Sequence, residues 1–534
     1  MNLPGPIRTS RWRWLVAWLP LGLAGCAANE AAVKLPLQNA PPFSASGQVE
    51  APNRWWTAFD DAPLNRQVDR SLDGSFTLAA ALQRLRSAQA LARREASDLF
   101  PDVNGVADAE GSFRSNGPEQ SLFALGLEAS YEVDLWGRIE SRVQAEELRA
   151  SATAADYHAV ALTLSAEIAR TWYSLIEAHA QMALLDEQIE INETGLELQE
   201  ARFGLGQIRS ADVLRQRQLV ESTREQTLVV QSRIEVLEHR LAVLQGRPPQ
   251  GARYDVGAML PALPPLPETG LPSELVQRRP DVRREFLALW AADRDVAAAI
   301  SDQYPRINLS GSVTTAAESP ENLFRDWIVV TLGQLIAPLI DGGQRRAEVD
   351  RTTSVLRERI AEYGETVLVA FREVEDALAQ EEYQLARIES LNKQVDLARQ
   401  ASEQLREQYL IGDAEYLDVL TAITQEQSLQ RETLSARLEL VLTRIALYVA
   451  LAGDFETRPQ GQKWWRPSQN VRDERRSQTA TESALDSHTG YGSRLPWYSR
   501  GIRGRHRRNQ PDQADGPAGR GDPQICGTGR NDYC

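Results

Sequence analysis

This chain repeats itself. RFGLGQIRSADVL (Arg202–Leu214) and QYLIGDAEYLDVL (Gln408–Leu420) set Gly206 and Gly412, Asp212 and Asp418, and Val213 and Val419 each 206 residues apart. Pro101 and Pro305 are 204 apart, and so are the apolar pairs Ile234/Leu438, Leu237/Val441 and Leu241/Ile445. Chance rarely keeps so constant an offset across three separate segments, so the chain is a duplication. The proline-rich MLPALPPLPETGLP (Met259–Pro272) is its joint. Whatever one half folds into, the other must too.

Each half carries a very long helical pattern. Ala161, Leu164, Ile168, Leu175, Ala178, Met182, Leu185 and Ile189 step by threes and fours, and Leu356, Ile360, Tyr363, Val367, Ala370 and Val374 do the same. No proline interrupts Arg138–Gly246 or Arg345–Gly453. Patterns of that length mean coiled coil. Arg138–Gly204 alone, at ~1.5 Å per residue, would reach roughly 100 Å. Such rods bridge a distance.

Ahead of the rods lie alternating segments. Leu125, Leu127, Ala129, Tyr131, Val133 and Leu135 fall on one face, and Gly126, Glu128, Ser130, Glu132 and Asp134 on the other; INLSGSV (Ile307–Val313) alternates too. Each half supplies about two such strands, four per chain. Even a small barrel takes about eight, so strands meant for a membrane would have to come from several chains.

Composition is compatible with that. The 534 residues carry a net charge of −15, which argues against a nucleic-acid partner. Mean hydropathy is −0.40, and no apolar run of about 18 residues follows the N-terminus, which excludes a helical multi-span protein. Neither number touches a barrel, whose alternating strands escape hydropathy averages. At the N-terminus Arg8, Arg11 and Arg13 precede the apolar Trp14–Leu23 and then Leu23-Ala24-Gly25-Cys26. That is the layout of a secretory signal. Its ending resembles a bacterial lipobox, which makes Cys26 the expected lipidated first residue. Ala27 in the next position favours sorting to the outer membrane.

The whole layout resembles the outer-membrane efflux proteins, the TolC-like family, and its lipoprotein NodT-like branch. The residues carrying the resemblance are NRWWTAFDD (Asn53–Asp61), SYEVDLWGR (Ser130–Arg138), GLPSELVQRRPDVRREF (Gly270–Phe286), YPRINLSGS (Tyr304–Ser312) and APLIDGGQRRAEVD (Ala337–Asp350). The resemblance implies a mixed fold: a homotrimer whose protomers each give four strands to a 12-stranded outer-membrane β-barrel and long coiled-coil helices to a periplasmic α-barrel. It implies a passive exit duct for small toxic or drug-like molecules. Its partners would be a periplasmic adaptor (membrane fusion protein), an inner-membrane pump of the resistance-nodulation-division type and outer-membrane lipid. The alternatives are a duct for type I protein secretion and a coiled-coil periplasmic lipoprotein that forms no pore.

By the same resemblance the turns between the rods form the periplasmic tip where the adaptor docks, carried here by Gly206, Asp212, Val213, Gly412 and Val419. Asp418 matches an inward gate carboxylate of some relatives and Tyr409 a tyrosine of their closing network. Ala414 stands where those relatives have a bridging arginine, which leaves Arg209 as a substitute and Asp413 as an alternative gate acid.

The expected organisation is a signal over 1–25, a lipidated linker over 26–52, a first repeat over 53–258, the linker over 259–272, a second repeat over 273–455 and a disordered tail over 456–534. From Arg466 the tail holds 12 Arg against 8 acids with no apolar period, and Cys526 and Cys534 in it could pair. The five histidines have no metal-ligand spacing, and no phosphate loop or catalytic motif appears. No cofactor, metal or enzymatic activity is expected. Asn192-Glu193-Thr194 is a glycosylation triplet only by accident, because it lies in a helix.

Overall fold

Two corners, one in each half, turn a strand into a rod. At Gly137 (φ +72°) and Gly343 (φ +88°) the backbone enters the left-handed region that glycine tolerates. An aspartate caps each turn. Asp134 accepts the Arg138 and Glu140 amides at 2.7 and 2.8 Å, and Asp341 accepts those of Gly343 and Arg345 at 2.9 and 3.3 Å. These amide contacts hold the Asp341 carboxyl below the usual carboxylate range. Side-chain oxygens are thus supplied to helix-start donors that have no partner inside the helix.

The structure, a computed structural model, describes residues 40–112, 120–257 and 259–457. The first half contains α1 (Ala62–Gly74), α2 (Phe76–Ala96), β1 (Asp102–Ser112), β2 (Gln120–Val133), α3 (Arg138–Gly204) and α4 (Ser210–Leu244). The second contains α5 (Pro272–Arg278), α6 (Pro280–Ser301), β3 (Arg306–Ala317), β4 (Ile328–Ile336), α7 (Gln344–Ile411) and α8 (Tyr416–Leu451). The order is the same twice, and α3 and α7 run 67 and 68 residues. Two details differ from the sequence reading. The sequence pattern gives one helix ahead of each strand pair, but two stand there, divided at Ser75 in the first half and at Arg279, just before Pro280, in the second. The strand also stops at Val133, since Asp134 is committed to the corner.

The four strands form one antiparallel sheet in the order β1-β2-β3-β4. Gly105, Leu127, Val313 and Val329 stand in one row, and Val103, Ala129, Gly311 and Thr331 in another. Alternation therefore gives this face no charged residue on any strand. The opposite face carries Asp102, Asp108, Glu110, Glu128 and Glu132, and among the described strand residues Arg306 is its only cation. Leu127, Leu309, Val329 and Leu335 are exposed. The outer edges of β1 and β4 pair with nothing among the described residues.

Below the sheet the two halves interlock. The Trp136 indole donates to the Pro305 carbonyl at 2.7 Å and stacks on Tyr304 at 5.0 Å. Trp55, Trp56, Phe59, Tyr173, Tyr448 and Phe455 build an aromatic core shared by both repeats. Trp55 Nε1 donates to Ser165 at 3.0 Å and Trp172 Nε1 to Asp61 at 3.0 Å, which accounts for the NRWWTAFDD segment. The proline-rich joint is held by a buried ion pair: Arg444 forks onto both oxygens of Glu381 and donates to the Pro264 carbonyl. Arg279 binds Asp281 and Glu373 at 2.7 Å each.

Candidate functional site: the open sheet and the tip of the rods

The turn glycines have a backbone reason. Gly206 (φ +73°) and Gly412 (φ +86°) end α3 and α7 in the left-handed conformation. Beyond them the Gln207 and Asp413 amides reach back to the Arg202 and Gln408 carbonyls at 2.9 and 2.8 Å. That pattern closes a helix and satisfies its last carbonyls. A Cβ at either glycine would meet open space, so what selects glycine is the left-handed φ and not crowding.

Asp212 and Asp418 then sit in the first turns of α4 and α8, where a carboxylate suits the positive end of the helix dipole. The two turns differ electrostatically. Asp212 is bound to Arg215 at 3.2 Å, whereas Thr421 stands at the matching place in the second turn. Among the described residues neither Asp413 nor Asp418 has a side-chain partner, and both are exposed. Arg209 is exposed as well and reaches neither, so within one protomer no Arg–Asp lock forms. Val213 and Val419 are buried within the chain.

Tyr409 does cross between the hairpins. Its hydroxyl donates to Gln199 Oε1 at 3.0 Å, Arg202 lies 4.7 Å over its ring, and the Tyr416 ring is 5.3 Å away. Tyr416 in turn donates to Gln216. Burial, with Tyr409 and Asp212 adding to it, pushes the Tyr416 phenol up, so it remains a donor.

The tip also exposes apolar side chains that the sequence reading missed: Leu205, Leu214, Leu410, Leu417 and Ile411, the last 80% exposed. Their signal was present in the repeats themselves, as leucines and isoleucine flanking the turn glycines, where a solvated loop would be polar. Cys26, Cys526 and Cys534 lie outside the described residues. Among the described residues no cluster of His, Cys, Asp and Glu could hold a metal ion, and no helix is long and apolar enough to cross a membrane.

The family model for outer membrane efflux protein matches twice, over residues 68–247 and 271–453. The pyoverdine export outer membrane protein OpmQ of Pseudomonas aeruginosa is 29% identical over 442 residues, covering 78% of this chain and 91% of OpmQ. The solvent efflux pump outer membrane protein SrpC of Pseudomonas putida is 27% identical over 412 residues, covering 74% and 86%. Among solved structures, the open state of the MtrE outer membrane channel of Neisseria gonorrhoeae superposes with a TM-score of 0.72 at 26% identity, covering 80% of this chain and 98% of MtrE. With its two matched repeats, its open four-stranded sheet and its paired rods, the chain belongs to the outer membrane efflux protein family.

Proposed function

We propose that three copies close their sheets edge to edge into one twelve-stranded barrel. The trimer would form the outer-membrane exit duct of a tripartite efflux system, taking small molecules from an inner-membrane pump of the resistance-nodulation-division type through a periplasmic adaptor. The observation that carries this is the sheet, with one charge-free face and two unpaired edges. In a bilayer an open edge leaves amides and carbonyls without partners, so only closure is tolerated, and strands of 9 to 14 residues are long enough to span. The acidic face then lines water. Cys26 would carry the lipid anchor, and the apolar tip around Gly206 and Gly412 would receive the adaptor. Export of pyoverdine and of solvents by the relatives, as their names state, favours small molecules over secreted proteins.

In a trimer Asp413 and Asp418 give six unpaired carboxylates at the narrow end, a ring that favours cations. Reversal potentials across a KCl gradient should show a cation-selective wild type. Asp413→Asn/Asp418→Asn should lower its permeability ratio about twofold or more, and Glu128→Gln in the wide barrel should change it little. An unaltered ratio in the double variant would remove the tip acids from the gate.

A further inference from the structure

We propose that the acidic face of the sheet holds a binding trough for an organic cation with an apolar arm, walled by Glu128 on one side and by Val330 and Leu332 on the other. This rests on the duct reading and names the solutes that the barrel wall would favour within it.

Strand β4 breaks the alternation that the other strands keep. Where β1, β2 and β3 turn Asp102, Glu128 and Ser312 to this face, β4 turns Ile328, Val330, Leu332 and Ile336. Of the residues that β4 sends there, Gln334 alone is polar. The four apolar side chains are 47% to 58% exposed. A wall that only met water would carry polar groups at these positions, as barrel interiors do. Closing the barrel does not hide the stripe. Pairing with a neighbouring copy uses the backbone edge of β4 and leaves both of its faces as they are.

The stripe borders a hollow. Two rungs cross the sheet side by side, Asn104–Glu128–Ser312–Val330 and Asp102–Ser130–Ser310–Leu332. The serines in the middle of these rungs are short, and over them lies a cavity of about 320 Å³. Glu128 and Val330 are two strands apart, which sets the polar and apolar walls roughly 10 Å from each other.

The charge on the polar wall is available. Glu128 is exposed and meets no cation among the described residues. Its neighbour on the same face, Glu132, is already bound by Arg138 at 2.8 Å, and Arg306 is committed to Asp302. An exposed carboxylate alone holds a cation weakly, because water and salt screen it. An apolar arm on the β4 stripe adds a second contribution that grows with the area covered. A small inorganic cation gains only the first, a neutral apolar solute only the second, and an anion is repelled. Binding stays weak enough for release, as conduction requires.

The test is block of potassium current through purified wild-type trimers in a planar bilayer by two cations of equal charge, phenyltrimethylammonium and tetramethylammonium. The half-blocking concentration should be about tenfold lower for the cation with the phenyl arm. Benzenesulfonate, with the arm and the opposite charge, should not block. Val330→Ser/Leu332→Ser should bring the two cations within about twofold of each other. Glu128→Gln should raise both half-blocking concentrations about threefold. Ser312→Arg fills the trough beside Glu128 and should abolish the preference for the phenyl arm. If the serine variant forms no trimers, the other two still decide. Equal half-blocking concentrations in the wild type, or a preference that survives all three variants and vanishes in Asp413→Asn/Asp418→Asn, would overturn the trough and leave the duct standing. A wild type that inserts and never conducts would overturn the duct and the trough with it.

Discussion

Leu127→Arg is expected to abolish insertion, leaving the chain out of the outer membrane and without trimers that survive SDS at room temperature. Leu127 is exposed on the charge-free face, in the middle of the row Gly105, Leu127, Val313 and Val329. An arginine on the lipid face near the bilayer midplane costs about 2–4 kcal/mol. A barrel made from three copies carries that cost three times, roughly 6–12 kcal/mol in all, which is comparable with the whole stability of a typical fold, about 5–15 kcal/mol. Ser312→Arg is the matched control, one residue from Val313 in sequence but on the opposite face. There the guanidinium meets water beside Glu128, its register partner, and insertion should proceed at wild-type yield. Fractionation and heat-modifiable gel migration read both outcomes. Equal yields from the two variants would mean that the sheet has no lipid face.

Arg444→Met should strongly destabilise the helical part. Side chains of Arg444 and Glu381 are 3% and 8% exposed, and the guanidinium also holds the Pro264 carbonyl. Removing one member of such a pair strands the other charge in the interior, at about 3–5 kcal/mol. Removing both is far cheaper, because an apolar replacement need not be desolvated, so Arg444→Met/Glu381→Leu should recover most of the loss. Melting of the purified protein measures the two steps. Proteolysis between residues 259 and 272 should rise in the single variant, since Arg444 holds the Pro264 carbonyl of that segment. A single variant as stable as the double would show that the pair is not buried as a unit.

Much of this architecture could be read in the sequence because it rests on local rules. The rods follow from proline-free apolar periodicity, and the turns from Gly206 and Gly412, whose positive φ favours glycine. The sheet follows from period-two alternation in LEASYEV and INLSGSV. What escaped depends on packing between distant segments. Val213 and Val419 are placed at the tip by the repeat, but only the fold turns them inward. Arg209 has the charge to pair with Asp413 or Asp418 but reaches neither within one protomer. Gln181, Gln188, Asn192 and Gln199 recur at spacings of seven, four and seven, a core-facing heptad pattern hidden because periodicity is sought in apolar residues. Asn192 was visible only as part of a fortuitous glycosylation triplet, yet it is buried and exchanges a reciprocal amide pair with Gln427.

In the proposed duct several copies of this chain surround water where they cross a membrane. Conductance of the purified wild-type trimer in a planar lipid bilayer tests it most directly. Discrete, cation-selective conductance steps that Leu127→Arg fails to produce are the predicted result. A bilayer that stays sealed with wild-type protein inserted, at every voltage and salt concentration applied, would contradict the account.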